Sequence, residues 1–427
     1  MDPLTELINT LYQLVIGVRP QDEDTMIKKH SRCLEKLGDV SLPLSSKVWR
    51  HIIQRSASRE LGAPGLVHQF ASADIDIALG LFQECLRGLK AQIRTHKCIK
   101  TSAHLFLERA PLFNYAVKRA LAEAGQYGRV KLFNQVIRIT TATTTYQTVS
   151  DLDQADLTTL RLSILKATIE NLLKLSTKSE PADSVVVALV NNVEASTVSN
   201  ASILCGPVLN EQGVKDTEHT ARDFFQKRVT DMRLMAQHRY RVNIQSAQEW
   251  KELFTHLGRA SVSVELLSNK PQKSVKVTLD NLGNCNKGPA FIFYNCARLS
   301  ILLKEFDLKV QQGTYPDLPA LDQIDFSLLK QPEEWELLYV YILQYPHMVQ
   351  SCIKGVELGN VNPQHLVTFL SNLSSVFSIY YRRVRILVAP REHLFACIHT
   401  RIYLLKALQV VFHNALGILN IAPVKEM

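Results

Sequence analysis

The sequence has no CxxC pair, no GxGxxG, no GxxxxGK[ST] loop, no GxSxG turn and no HExxH, and the protein-kinase motif set is missing too. Each absence removes a chemistry. Without glycine-rich loops there is no cradle for the phosphates of a dinucleotide or nucleoside triphosphate, nor the related loop of most methyl-donor enzymes. Without the other motifs, hydrolase, metalloprotease and phosphotransfer assignments have no support. The eight cysteines (Cys33, Cys85, Cys98, Cys205, Cys285, Cys296, Cys352, Cys397) are scattered, with no zinc-ligand spacing, and are expected mostly as small buried hydrophobes. The thirteen histidines fall at no ligand or triad spacing. No unbroken apolar run reaches the roughly 18 residues of a membrane span. The N-terminus, MDPLTELINTLYQLVIGVRP, carries acidic residues where a secretory leader needs basic ones. The expectation is a soluble, non-secreted, cytoplasmic protein with no metal, no cofactor and no membrane partner.

What is present is an ordinary globular composition with one charged feature. At 427 residues, 46% hydrophobic and 21% charged, the chain has room for two or three domains with sizeable cores. The formal net charge is +9, and its location matters more than its size. Between residues 86 and 140 stand Arg87, Lys90, Arg94, Lys97, Lys100, Arg109, Lys118, Arg119, Arg129, Lys131 and Arg138, opposed only by Glu108 and Glu123. That window holds the whole excess. A clustered basic face is the electrostatic footprint of a polyanion, most often nucleic acid; the alternative is a basic, well-solvated surface.

Periodicity divides the chain. Residues 1–100 read as helices, including DTMIKKHSRCLEKL and DIDIALGLFQECLRGLKAQI. KTSAHLFLERAPLFNYAVKRALAEAG predicts a strand, a turn at Pro111 and a helix ending at Gly125. RVKLFNQVIRIT reads as strands, DLTTLRLSILKATIENLLKL as a helix, and SVVVALVNNV and ASILCGPVL as strands buried on both faces of a parallel sheet. Residues 213–246 return to helix. From Trp250 onward nearly everything is helical, with Pro346 expected to stop the helix QPEEWELLYVYILQYP. The fold class expected is mixed: a helical and α/β region over 1–126, an α/β layer over 127–246 and an all-α bundle over 247–427.

In GPAFIFYNCARLSILLKEF, Gly288-Pro289 starts a helix whose stripe is Ile292, Cys296, Leu299, Leu302 and Phe306. Tyr294, Asn295 and Arg298 stand close to its start, a polar trio that core filling does not require. YNCARL resembles the entry helix of the DALR anticodon-binding domain of arginyl-tRNA synthetases. In the same order, LLYVYILQYPHMVQSCIKGVEL, FLSNLSSVFSIYYRRVRIL and RIYLLKALQVVFHNALGILNIAPVKEM resemble that domain's later segments. The tetrapeptide DALR is absent, and Arg401 stands where the family has its arginine. Upstream, DLTTLRL resembles the synthetase helix that carries H-x-G-H-L-R. Leu160 and Arg161 fit, but Asp156 and Thr159 replace the histidines and Thr158 the glycine. ILCGPVLNEQGVKD falls where the family has its KMSKS loop, without that lysine pattern, and KLSTKS at 174–179 lies too early to serve.

The resemblance implies a degenerate class I synthetase-like layer of Rossmann type followed by a DALR bundle, without aminoacylation, since the groups that stabilise ATP phosphates are replaced. It implies binding of arginine tRNAs in support of a partner 3-methylcytidine methyltransferase acting on the anticodon loop. In that reading Tyr294, Asn295, Arg298, Tyr380, Tyr381, Arg382, Arg383, Arg385, Arg401 and Met427 meet the anticodon stem-loop, while Arg87, Lys90, Arg94, Lys97, Lys100, Lys118, Arg119, Arg129 and Lys131 grip the tRNA body. Structural readings stand beside these. Tyr294 and Arg298 can join helices, YYRRVR can be a solvated helix end whose arginines offset the dipole, and Met427 can be a frayed terminus. The rival functions are a protein-interaction scaffold that no longer binds tRNA, and an enzyme with relocated chemistry.

Overall fold

The computed structural model describes residues 2–17, 26–45, 47–50, 80, 84, 86, 88–141, 154–176, 184–191, 201–240, 248–279 and 288–424. The chain opens with α1 (Pro3–Ile16), started by Asp2, whose carboxylate accepts from the Thr5 N–H at 3.0 Å. It ends at Gly17 in the left-handed conformation (φ 74°). The stripe Leu4, Leu7, Leu11 and Val15 is wholly buried. Then follow β1 (Lys28–Lys29), α2 (Leu34–Leu37), β2 (Val40–Pro43), β3 (Ile93–Ile99), β4 (Ser102–Leu107) and α3 (Arg109–Glu123). The four strands form an antiparallel sheet in the order β1-β2-β4-β3.

This corrects the all-helical expectation for residues 1–100. The segment at 40–43 is a strand because β4, some sixty residues later, supplies its hydrogen-bonding partner; 28–29 pairs in turn with β2, and 93–99 forms a hairpin with β4. Local periodicity cannot register such a pairing. DTMIKKHSRCLEKL holds only the short α2, and most of DIDIALGLFQECLRGLKAQI lies outside the described residues. Pro111 makes no turn. It sits in the first turn of α3, where its missing N–H leaves no intrahelical bond unmade.

Next come β5 (Val136–Thr141), α4 (Leu157–Lys174), β6 (Ser184–Val190) and β7 (Ser202–Leu204). The three strands pair in parallel in the order β5-β6-β7, with α4 in the β5–β6 crossover. Of RVKLFNQVIRIT only the part from Val136 is a strand. A two-stranded parallel pair, β8 (Val208–Leu209) with β9 (Val275–Lys276), brackets the hairpin of α5 (Ala221–Tyr240) and α6 (Gln248–Leu266). The helix expected from 213 therefore begins at 221. The buried set Leu157, Leu160, Val208, Phe224, Val262, Leu266 and Val275 joins α4, α5, α6 and the small pair into one core. Inside the hairpin Arg228 donates to Glu265 at 2.8 and 3.0 Å and to Asp231 at 2.8 Å, so its buried charge is paired on two sides.

The remainder is helical: α7 (Pro289–Gln311), α8 (Pro332–Glu336), a π-helical segment (Leu337–Leu343), α9 (Tyr345–Ile353), α10 (Gln364–Arg383) and α11 (Glu392–Ile418). Pro346 does not stop a helix but sits in the first turn of α9. The widened π turn before it leaves the Ile342 carbonyl to accept the Tyr127 hydroxyl at 2.7 Å. By length and composition α11 is apolar enough to cross a bilayer, yet half of its most apolar window is buried inside the protein. Packing along α7 accounts for that composition.

The chain divides into two compact units: Met1–Lys118 with Pro319–Val340, and Arg119–Leu318 with Tyr341–Met427. In the first unit, buried Asp39 accepts from Leu107 N–H and from Trp335 Nε1, both at 2.7 Å, and its carbonyl accepts the Tyr339 hydroxyl at 2.8 Å. One residue thus ties the sheet to the later segment. In the second, Asn171 on α4 donates to the Ile418 carbonyl at 3.1 Å and to Asn420 Oδ1 at 2.7 Å. His256 on α6 holds the Ala422 carbonyl at 3.0 Å, so the tail beyond α11 is pinned from two helices. Of the six cysteines in the described residues, Cys205, Cys296 and Cys352 are buried, while Cys33 and Cys98 are exposed. Burial pushes the Cys205 thiol up to about 11 and those of Cys296 and Cys352 up to about 12, so these three stay protonated.

Candidate nucleic-acid interface

Two helices of the second unit build the site. On α7 the expected stripe Ile292, Cys296, Leu299, Leu302 and Phe306 is buried, which fixes the rotation of the helix. Tyr294 and Arg298, one turn apart, are then half-buried at its edge. On α10 the buried stripe is Leu366, Phe369, Leu370, Leu373, Phe377 and Tyr380. That leaves Ser375, Ile379, Tyr381 and Arg382 exposed, with Ser378 half-buried. Between the helices lies an open pocket of about 400 Å³, lined by Phe291, Tyr294 and Arg298 from α7 and by Ser375, Ser378, Ile379 and Arg382 from α10.

Arg298 is the centre of the arrangement. Its guanidinium carbon lies 4.2 Å from the ring centroid of Tyr294 and 4.5 Å from that of Tyr381, and it also donates to the Tyr294 hydroxyl. Arg382 Nε donates to the Ser378 carbonyl at 3.3 Å, which places this cation at the pocket wall. Arg382 and Arg383 also occupy the last turn of α10, where they meet the negative end of the helix dipole. Arg385 lies past the helix end and is exposed.

The structure does not bring every expected residue to this face. Asn295 is wholly buried; its Nδ2 donates to the Phe291 carbonyl at 2.8 Å, and its Oδ1 is without a partner. Tyr380 is wholly buried one residue before exposed Tyr381. Arg401 is half-buried on α11. Met427 and Arg87 lie outside the described residues. Sequence reasoning missed Phe291, Ser375, Ser378 and Ile379. The helical spacing held a signal: Ser378 is four residues before Arg382, and Ser375 and Ile379 share the face that the buried stripe leaves outside.

The basic window is divided between the units. In the first, Arg94, Lys97 and Lys100 are exposed along β3 and the following turn, and Lys100 has a positive φ of 55°. Lys97 lies 5.4 Å over the Phe106 ring and Lys90 4.9 Å over that of Tyr115. Lys118 is ion-paired with Asp322, and Arg109 stacks 5.3 Å over Trp335. In the second, Arg119 pairs with Glu123 at 2.7 Å, while Arg129, Lys131 and Arg138 are exposed.

At the start of α4 the residues compared above with the synthetase motif have local work. Asp156 caps the helix, accepting from the N–H groups of Thr158 and Thr159 at 2.9 and 3.0 Å and from the Thr159 hydroxyl at 2.8 Å. A carboxylate therefore sits at the positive end of the helix, where it would repel a polyphosphate. Arg161 is turned inward. It donates to the carbonyls of Gly206 and Lys273, both at 2.7 Å, of Leu266 at 3.1 Å and of Lys270 at 3.3 Å. Of the KLSTKS turn, Lys174 Nζ donates to Asn171 and Ser176 Oγ to the Leu172 carbonyl; residues 177–179 lie outside the described residues.

Comparison with known proteins bears out the family resemblance. Residues 292–427 match the family model of the DALR anticodon binding domain. The chain is 32% identical over 252 residues to DALR anticodon-binding domain-containing protein 3 of Danio rerio, a match covering 56% of this chain and 44% of that protein. It is 27% identical over 172 residues to the Arginine--tRNA ligase of Borreliella burgdorferi, covering 40% of this chain and 25% of that enzyme. The chain thus spans less than half the length of these relatives. The arginyl-tRNA synthetase of Thermus thermophilus superposes with a TM-score of 0.62 at 10% identity, covering 99% of both chains. The fold is that of arginyl-tRNA synthetases, mixed α/β with a C-terminal helical DALR domain.

Proposed function

We propose that this chain is a non-catalytic tRNA-binding adaptor that reads arginine tRNAs and presents the anticodon loop to a partner methyltransferase forming 3-methylcytidine. The observation that carries the reading is the meeting of Tyr294, Arg298 and Arg382 around one open pocket, with Tyr381 against Arg298, in the region that matches the DALR anticodon binding domain. Single-stranded loops are bound by stacking splayed bases on aromatic rings while arginines hold the phosphates, and this face carries both kinds of group. Its volume suits a small planar ligand. The exposed cations Arg94, Lys97, Lys100, Arg129 and Lys131 add affinity for a tRNA body with little sequence information. In this reading residues 1–126 hold the body, 127–246 are a synthetase-like remnant and 247–427 read the anticodon, in the cytoplasm and without a cofactor. The non-catalytic part rests on Asp156 and Arg161, whose polar groups are engaged within the protein rather than offered to ATP.

One observation favours the scaffold reading instead: Lys118 and Arg119, both expected to grip tRNA, are engaged by Asp322 and Glu123. A capture experiment separates the two. The purified protein is incubated with total cellular tRNA at near-physiological salt and the retained species are sequenced. Strong enrichment of arginine tRNAs is expected; uniform retention reduces the chain to a basic platform, and no retention favours the scaffold.

A further inference from the structure

Stacking a base on Tyr294 or Tyr381 meets an obstacle in the free protein, because one guanidinium already covers a face of both rings. Arg298 is anchored there a third way, through its hydrogen bond to the Tyr294 hydroxyl. A guanidinium is planar, stacks on π faces and carries edge donors, so it stands in for a nucleobase in shape and polarity. Beside it the pocket is apolar at Phe291 and Ile379, with Arg382 at its wall.

We propose that Arg298 is an internal plug of the base-binding slot, and that RNA binding is an exchange in which a splayed base displaces it from the tyrosines. The displaced guanidinium moves toward the RNA backbone, where together with Arg382 it holds a phosphate. The plug rests on the anticodon-binding reading above and adds a gate to it. Its physical content is a population cost: only molecules with Arg298 swung out are competent, and the apparent affinity falls by that fraction. Two partly solvated cation–π contacts and one hydrogen bond make the plugged form dominant by about tenfold or more. The gate also selects against incidental binding, because a ligand without a stacking base cannot displace the plug.

The test uses the full chain and a synthetic anticodon stem-loop RNA with a fluorescent adenine analogue in its loop, mixed by stopped flow. In the wild type the observed association rate is expected to level off at high RNA, limited by plug release. R298A should abolish the plateau and associate about tenfold faster, and R298K, charged but unable to stack as a plane, should fall between. Side-chain NMR of the free wild type reads the plug without RNA, as ring-current-shifted Arg298 δ protons. Unshifted protons overturn the plug outright. Shifted protons with RNA bound by R298A at an unchanged or slower rate overturn the gate alone. Shifted protons in a wild type that binds no RNA overturn the anticodon reading and the gate with it. Thermal unfolding of R298A and R298K checks that both are folded.

Discussion

Two arginines of the second unit, Arg161 and Arg298, show how differently the same side chain is used. Arg161 is 1% exposed and gives its donors to four backbone carbonyls around Gly206, Leu266, Lys270 and Lys273. Four of its five N–H donors are thus spent inside the protein. Arg298 is half-buried, rests mostly on π faces and borders an open pocket. Its contacts are individually weak and replaceable by a base of similar shape. The lesson is that the α/β layer uses these polar groups as internal fastenings, while the helical bundle leaves polar groups at an open pocket.

The strongest way to break this comparison is to remove the fastening. Arg161→Leu is expected to strand four carbonyls and to lower unfolding stability by about 3 to 5 kcal/mol in denaturant titrations. A change below about 1 kcal/mol would mean that the clamp is incidental. The counterpart in the first unit is Asp39. Asp39→Asn sets an amide against one of two N–H donors and should cost about 1 to 3 kcal/mol at neutral pH. Burial raises the Asp39 carboxyl above its ordinary value of 3.8. The folded unit therefore holds the proton more tightly than the unfolded chain. The associated stability is complete below that ordinary value and declines as pH rises through the raised folded value. Asp39→Asn should flatten this slope, and an unchanged pH profile would show that Asp39 does not titrate with folding.

The smallest effect belongs to the ligand-facing side. Arg385→Glu should leave stability untouched, weaken stem-loop binding by about three- to tenfold and reduce the salt dependence by about one unit of slope. Equal binding at all salt concentrations would remove Arg385 from the interface and would fit the scaffold.

Legibility in the sequence followed the range of the interactions. The helices of the bundle were readable because apolar residues repeat every three to four positions, and α7 buries the stripe that periodicity named. The α/β layer was readable from two apolar runs that form β6 and β7. The antiparallel sheet was not. β2 is bonded to β4 some sixty residues later, as Val40 pairs with Leu105 and Pro43 with Ser102. A helix-like pattern in one segment carries no information about that partner. At the site, Tyr294, Arg298, Tyr381 and Arg382 were named from sequence and converge, whereas Asn295 and Tyr380, named with them, point into the core. Adjacent residues on a helix differ in direction by about 100°, so a short polar cluster in sequence is shared between core and surface.

By itself the sequence determined the helical bundle, the order of its segments and the presence of a basic window, because each is written in local spacing or residue type. Tertiary structure alone decided the rest. It divided the basic window between two units and neutralised Lys118 with Asp322. It also buried Arg161 among carbonyls from distant loops and set Arg298 between tyrosines from two helices. The physical reason is the same in each case: charge, hydrogen-bond and stacking partners are chosen by proximity in space, and these partners come from segments that the chain brings together only on folding.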